Sequence, residues 1–221
     1  MGASPERATD LIFYILIAAL FGSRVIHVFV NEWDRFLGNP LILFFLWEGG
    51  LVFYGGLIGA VLISLWYFKK HQLSFWTYTD IFIPAVALGH AIGRIGCFFA
   101  GCCHGRPVLQ DVWYTVIFPS VEKSSAPPGI PLYPTQLMES STEFLIFLFL
   151  FFWRRHKAFE GQLFCFYLMI YPIFRSILEL FRGDLDRGFI VDPWLSTSQF
   201  ISIFLFLTGL GLYIYRSGRK T

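Results

Sequence analysis

The sequence predicts an all-α integral membrane protein, a polytopic bundle of about six transmembrane helices with an outward loop or arm. Two observations carry this. Charged residues make up 14% of the 221 residues, against 56% hydrophobic and 20% aromatic. A soluble domain carries roughly a quarter charged residues, so this chain lacks the charge to cover a surface facing water. The apolar residues also fall in runs near the ~20 residues that cross a bilayer as a helix, without the alternation of a barrel strand. The formal net charge of +2 gives no footing for a nucleic-acid partner.

Six spans are expected: Leu11–Val30, Leu51–Phe68, Asp80–Cys103, Thr135–Trp153, Gln162–Phe181 and Ser198–Tyr215. The shorter run Leu41–Trp47 reads as an interfacial or re-entrant lead-in to the second. No cleavable signal pattern precedes the first span, because the N-terminus is polar with mixed charge and Arg24 interrupts the apolar run. No repeat or second domain is visible, so residues 1–221 are expected to form a single transmembrane domain.

The loops set the orientation. Those after spans two, four and six read FKKHQ, WRRHK and YRSGRK and are basic; those after spans one, three and five are mixed or acidic. The positive-inside rule then places both termini in the cytoplasm. The longest outward segment is the proline-rich loop of about residues 105–133.

Ionisable residues inside spans are costly and mark function. They are Arg24 in span one, His90 and Arg94 in span three, Glu139 and Glu143 in span four, and Arg175, Glu179 and Arg182 in span five, with His27 and Asp80 nearer span ends. His90/Arg94 and Arg175/Glu179 are i, i+4 pairs, each on one helix face. The bland reading of Arg175 and Glu179 is mutual neutralisation. Across the set, four arginines outnumber three carboxylates, and surplus buried guanidinium suits an anion such as a phospholipid phosphate. Gly55/Gly59 and Gly89/Gly93 have the spacing of close helix packing; a lipid-facing backbone is the alternative.

Three of the four cysteines, Cys97, Cys102 and Cys103, cluster with His104. The C-x4-C-C-H spacing is not a paired metal motif, and adjacent cysteines do not readily aim at one tetrahedral site. Small residues packed in a tight turn are expected there, a disulfide is the alternative, and no metal is assigned. Cys165 reads as a small core residue.

GRIGCFFAGCCHGRP (93–107) resembles the signature of prolipoprotein diacylglyceryl transferases, a Gly-Arg-x-Gly-Asn-Phe-x-Asn-Gly-Glu run ending in Gly-Arg. YPTQLMES, YPIFRSILELFRGD, FYGGLIG and GSRVIHVFV resemble further stretches of that family in the same order, from about residue 4 to 210. The resemblance implies a bacterial inner-membrane enzyme without metal or organic cofactor. It would transfer a diacylglyceryl group from phosphatidylglycerol to the lipobox cysteine thiol of a prolipoprotein, with membrane lipid as the other surrounding. The implied site places Arg94, Arg175, Glu179, His90, Tyr54 and Glu139 in catalysis. Arg24, Arg182, Gly55, Gly56, Gly105 and Gln136, with Arg94 again, would hold the lipid. The sequence departs from the pattern where Tyr54 and Tyr133 replace histidines, and where Cys97, Ala100 and Cys102 replace two asparagines and a glutamate. The family's first span also has no counterpart here, so the expectation is either a chain that starts late or a shortened relative. The alternatives are a same-fold lipid-dependent transferase with another acceptor and a non-catalytic lipid-binding or thiol protein.

Overall fold

In the computed structural model, which describes residues 4–109, 112–121, 124–183, 188–191 and 194–219, α1 (Pro5–Asn31) opens the chain. Its proline lies in the first turn, where no intrahelical N–H is needed, and Glu6 lies beside the positive end of the helix dipole. At 27 residues it is about 40 Å long, enough to cross a bilayer with tilt. The short α2 (Trp33–Gly38) follows. The expected lead-in Leu41–Trp47 forms two 3-10 turns, Pro40–Phe44 and Leu46–Glu48, the first capped by Asn39, whose side chain accepts from Leu41 N at 3.1 Å. Helix α3 (Phe53–Lys70) comes next, and α4 (Phe75–Ala100) begins in the same unit.

The chain forms two compact units, residues 1–78 and 79–221. In the first, α1 packs on α3. A β-carbon on Gly55 would overlap the backbone carbonyl of Gly22, and one on Gly59 the carbonyl of Ala18. These small residues let the two backbones touch. Arg24 is 1% exposed. It donates to Ile42 O from Nε (3.2 Å) and Nη2 (3.0 Å), to Gly49 O from Nη1 (2.8 Å), and to Glu32 at 3.3 Å, with Glu48 at 3.8 Å. One side chain thus fastens the loop after α2 to α1.

In the second unit, α4, α5 (Thr135–Trp153) and α6 (Gln162–Glu179) share a core of Ile83, Ala87, Ile146, Leu150, Leu163 and Tyr167. Asp80, expected only as a polar residue near a span end, caps α6 from a distance. Its carboxylate accepts from the backbone N–H groups of Gly161, Leu163 and Phe164 at 2.9, 3.0 and 3.1 Å, and pairs with Lys157 at 3.2 Å. It satisfies N–H groups that the first turn of a helix leaves without an internal partner. Helix α7 (Thr197–Ser217) starts in a capping box of Ser196 and Gln199 and packs along α6.

Helix α4 ends at Ala100, short of the expected Cys103, because Gly101 turns to a φ of +66°. The following segment carries β1 (Val116–Ile117) paired antiparallel with β2 (Pro131–Leu132), over a small cluster of Phe118, Ala126 and Leu132. A second antiparallel pair, β3 (Phe189–Val191) and β4 (Leu195–Ser196), precedes α7. Residues 110–111 and 122–123 of the expected outward loop, and the acidic stretch 184–187, lie outside the described residues.

Among the described residues, four helices (α1, α4, α5 and α7) are long and apolar enough to cross a membrane. Helices α3 and α6, the second and fifth expected spans, have 18 residues each and carry charge, Lys69 and Lys70 at the end of α3 and Arg175 and Glu179 in α6.

Candidate active site

The polar core of the second unit is built by repeating one spacing on three helices. His90 and Arg94 are one turn apart on α4, Glu139 and Glu143 on α5, and Arg175 and Glu179 on α6. Residues four apart lie on one face of a helix, so each helix offers a polar strip in an otherwise apolar surface. The three strips meet.

Glu139 is the hub and is 4% exposed. Its Oε1 lies 2.9 Å from Arg94 Nη2, 3.6 Å from His90 Nε2 and 3.9 Å from Arg175 Nε. Glu143, 1% exposed, faces the other nitrogen of the same imidazole, with His90 Nδ1 at 3.1 Å. Arg175 Nη1 lies 2.7 Å from Glu179. Tyr171 packs against the His90 ring at 5.5 Å and stacks on Tyr167 at 5.5 Å with 6° between the planes. Ser140 donates to Ala91 O at 2.8 Å and fixes α5 against α4.

Arg182 lies within electrostatic range of Arg94, and its backbone bridges Gly105. A β-carbon on Gly105 would overlap the Tyr133 backbone, so glycine lets the segment after α4 run against the approach to α5. Gln136 is buried and donates from Nε2 to Cys102 O at 2.8 Å, and Thr135 donates to Cys103 O at 3.0 Å.

The expected surplus of arginine does not survive. Of the arginines expected within spans, this unit holds Arg94, Arg175 and Arg182, equal in number to Glu139, Glu143 and Glu179, and Arg94 and Arg175 pair with Glu139 and Glu179. Arg24 belongs to the 1–78 unit and has its own carboxylates there. What marks the cluster for an anion is a specific donor instead. Among the described residues the buried Nε–H of Arg94 has no hydrogen-bond partner, and neither have two buried acceptors, Gln136 Oε1 and Glu143 Oε2. Buried polar atoms are nearly always paired, so such atoms point to a ligand.

The structure therefore brings together His90, Arg94, Glu139, Glu143, Arg175 and Glu179, with Gln136 at the start of the same helix as Glu139, and adds Tyr167 and Tyr171, which the sequence reading did not name. The four-residue spacing Tyr167/Tyr171/Arg175 was the available signal. Tyr54, Gly55 and Gly56 lie at the start of α3 in the other unit. Tyr54 is 61% exposed and packs edge-on against Phe53, Gly55 meets Gly22, and Gly56 faces Ala19. Gly89 and Gly93 meet nothing within 4 Å of a β-carbon among the described residues, so their spacing does not mark a helix contact.

Beyond α4, the sulfurs of Cys97, Cys102 and Cys103 lie within 4.8 Å of one another. Among the described residues they converge as three, not as the four donors of a tetrahedral site. Cys103 takes a φ of +56°, which turns its side chain back toward its neighbours. Burial, with the Cys103 and Cys97 thiols beside it, pushes the Cys102 thiol up to about 12.

The profile of one family, described as prolipoprotein diacylglyceryl transferase, matches residues 2–215. Similar curated proteins include a phosphatidylglycerol–prolipoprotein diacylglyceryl transferase of Bordetella bronchiseptica, 36% identical over 93% of this chain and 76% of that protein. A second such transferase of Clostridium perfringens is 34% identical over 96% and 80%. One of Acinetobacter baumannii is 31% identical over 99% and 80%.

Proposed function

The chain belongs to the prolipoprotein diacylglyceryl transferase family, and from that premise we propose that its reaction runs at the cluster of His90, Arg94, Glu139, Arg175 and Glu179. The protein is a membrane transferase of lipoprotein biosynthesis. It moves the diacylglyceryl group of phosphatidylglycerol to a prolipoprotein thiol. The acceptor is the cysteine of the lipobox segment. The setting is the bacterial inner membrane, with α3 and α6 completing six spans, both termini cytoplasmic and the 105–133 segment outward.

The sulfur attacks the glycerol carbon that bears the phosphate. A carbon–sulfur bond forms, the carbon–oxygen bond breaks, and glycerol phosphate leaves with the electron pair. Negative charge gathers on the departing phosphate, where donors held in place count most. Arg94 and Arg175 sit in that role, and Arg182 extends the set. Glu179 and Glu139 hold the two guanidinium planes, so their orientation is fixed before the lipid arrives. A free thiol has a pKa near 8.5 and must lose a proton to become the nucleophile. His90, with a carboxylate at each ring nitrogen, is the group placed to relay it, and Glu139 links that relay to Arg94. Gln136 holds the turn after α4 in register and keeps an acceptor free for a substrate hydroxyl. Tyr54, Gly55, Gly56 and Arg24, which the resemblance implies for the site, lie in the 1–78 unit, where Arg24 fixes the loop after α2 and Gly55 lets α1 meet α3.

The observation that carries this reading is the buried, unpartnered Nε–H of Arg94 beside its Glu139 pair. The test is the purified chain in phosphatidylglycerol liposomes with a lipobox peptide containing one cysteine. A diacylglyceryl adduct and glycerol phosphate are expected in equal amounts. Glycerol phosphate alone would mean another acceptor, and neither product would refute the reading.

A further inference from the structure

The transfer reaction leaves one cluster unused, the three thiols at the end of α4. We infer that Cys97, Cys102 and Cys103 form a three-coordinate thiolate site for Cu(I).

A metal–sulfur bond near 2.3 Å sets sulfurs about 4 Å apart around a trigonal ion. The three sulfurs already lie within 4.8 Å of one another, so small side-chain rotations close the site. Its frame is held from several sides. Gln136 and Thr135 grip the carbonyls of Cys102 and Cys103. Ala126 N and Ser125 Oγ donate to Gly101 O at 2.9 and 3.2 Å. Cys102 N donates to Cys97 O at 3.1 Å. The thiols are half-buried, open enough to load and shielded enough to retain.

The number of donors selects the ion. Zinc takes four ligands in nearly every structural site. Here three soft donors gather, and His104 stands outside that group with its Nδ1 at 3.0 Å from the carbonyl of Gly105. Soft thiolates select Cu(I), for which three sulfurs suffice. A disulfide would use two sulfurs at about 2 Å and strand the third, which gives no reason for three to converge. Each ligating thiol releases its proton to solvent as copper binds. The filled site carries net negative charge, and Arg94, three residues before Cys97 on α4 and so on the same helix face, offsets part of it. That is the guanidinium placed above on the lipid phosphate. On that reading the copper-loaded site competes for Arg94 and slows transfer.

Binding and inhibition are tested separately. The full chain, reduced and in detergent, is titrated with Cu(I) against a coloured Cu(I) chelator. One copper per chain is expected, with sulfur-only coordination by X-ray absorption. Cys97→Ser, Cys102→Ser and Cys103→Ser should each weaken uptake by more than the ~10–100-fold of an outer-shell change. Cys165→Ser, in the α6 core, should bind like the parent. Circular dichroism of each variant guards against misfolding. The site is overturned if the parent takes no copper, if all three variants bind unchanged, or if two of the thiols are found as a disulfide that resists reductant. Copper that binds yet leaves transfer at each protein's own copper-free rate keeps the site and refutes its link to Arg94.

Discussion

Replacing Arg94 by lysine separates charge from geometry at the centre of the site. Lysine keeps the positive charge and can still reach Glu139, now 2.9 Å from Arg94 Nη2, so the buried carboxylate keeps a partner. What disappears is the planar fork, and with it the Nε–H that is buried and unpartnered among the described residues. One such donor, aimed at charge that develops on the leaving phosphate, is worth ~3–4 kcal/mol, or about 10²–10³-fold in turnover. Arg94→Ala is the blunter change. It leaves Glu139 with Arg175 at 3.9 Å and His90 at 3.6 Å, and breaking a buried pair from one side costs about 3–5 kcal/mol of stability. The assay follows diacylglyceryl peptide and glycerol phosphate in phosphatidylglycerol liposomes, with thermal unfolding of each variant in detergent. Arg94→Lys should unfold near the parent temperature and turn over about 10²–10³-fold more slowly. Transfer within tenfold of the parent would refute the assignment of the fork to the phosphate. An equal fall in stability would make Arg94 a structural tie.

His90→Gln keeps a hydrogen-bonding group between Glu139 and Glu143 but cannot relay a proton. Turnover should fall about 10²–10⁴-fold with little change in lipid binding, and unchanged turnover would remove His90 from the reaction. Asp80→Asn should lower stability by about 2–4 kcal/mol, because the charge that meets three backbone N–H groups and Lys157 is lost; chemical denaturation in detergent checks this, with Lys157→Met expected to cost less. Gly55→Ala forces a β-carbon into the Gly22 carbonyl. An overpacking cost of ~1–3 kcal/mol exceeds the ~1 kcal/mol gained in helix propensity, so a lower unfolding temperature is expected and a higher one would contradict the close packing of α1 on α3.

Much of the molecule is legible along the chain. The helices follow from apolar run length, and α4 breaks where Gly101 permits a left-handed turn. The faces of the site follow from the four-residue spacings of His90/Arg94, Glu139/Glu143 and Arg175/Glu179, because 3.6 residues per turn puts each pair on one side. The family resemblance is carried by local strings such as GRIGCFFAGCCHGRP and YPTQLMES, and the family match runs over the same length. Spacing does not say which strip meets which. Only the packed structure puts Glu139 between two arginines and a histidine and sets Glu143 against the other nitrogen of that histidine. It alone engages Arg24 with a loop and its glutamates, sends Asp80 to cap a helix some eighty residues away in sequence, and turns Cys103 back so that three sulfurs converge. The physical reason is common to all of these. Local backbone preference and periodicity act within one turn and are written in adjacent residues. Partner choice among buried charges is a contest between segments far apart in sequence, and the close fit of whole helices settles it.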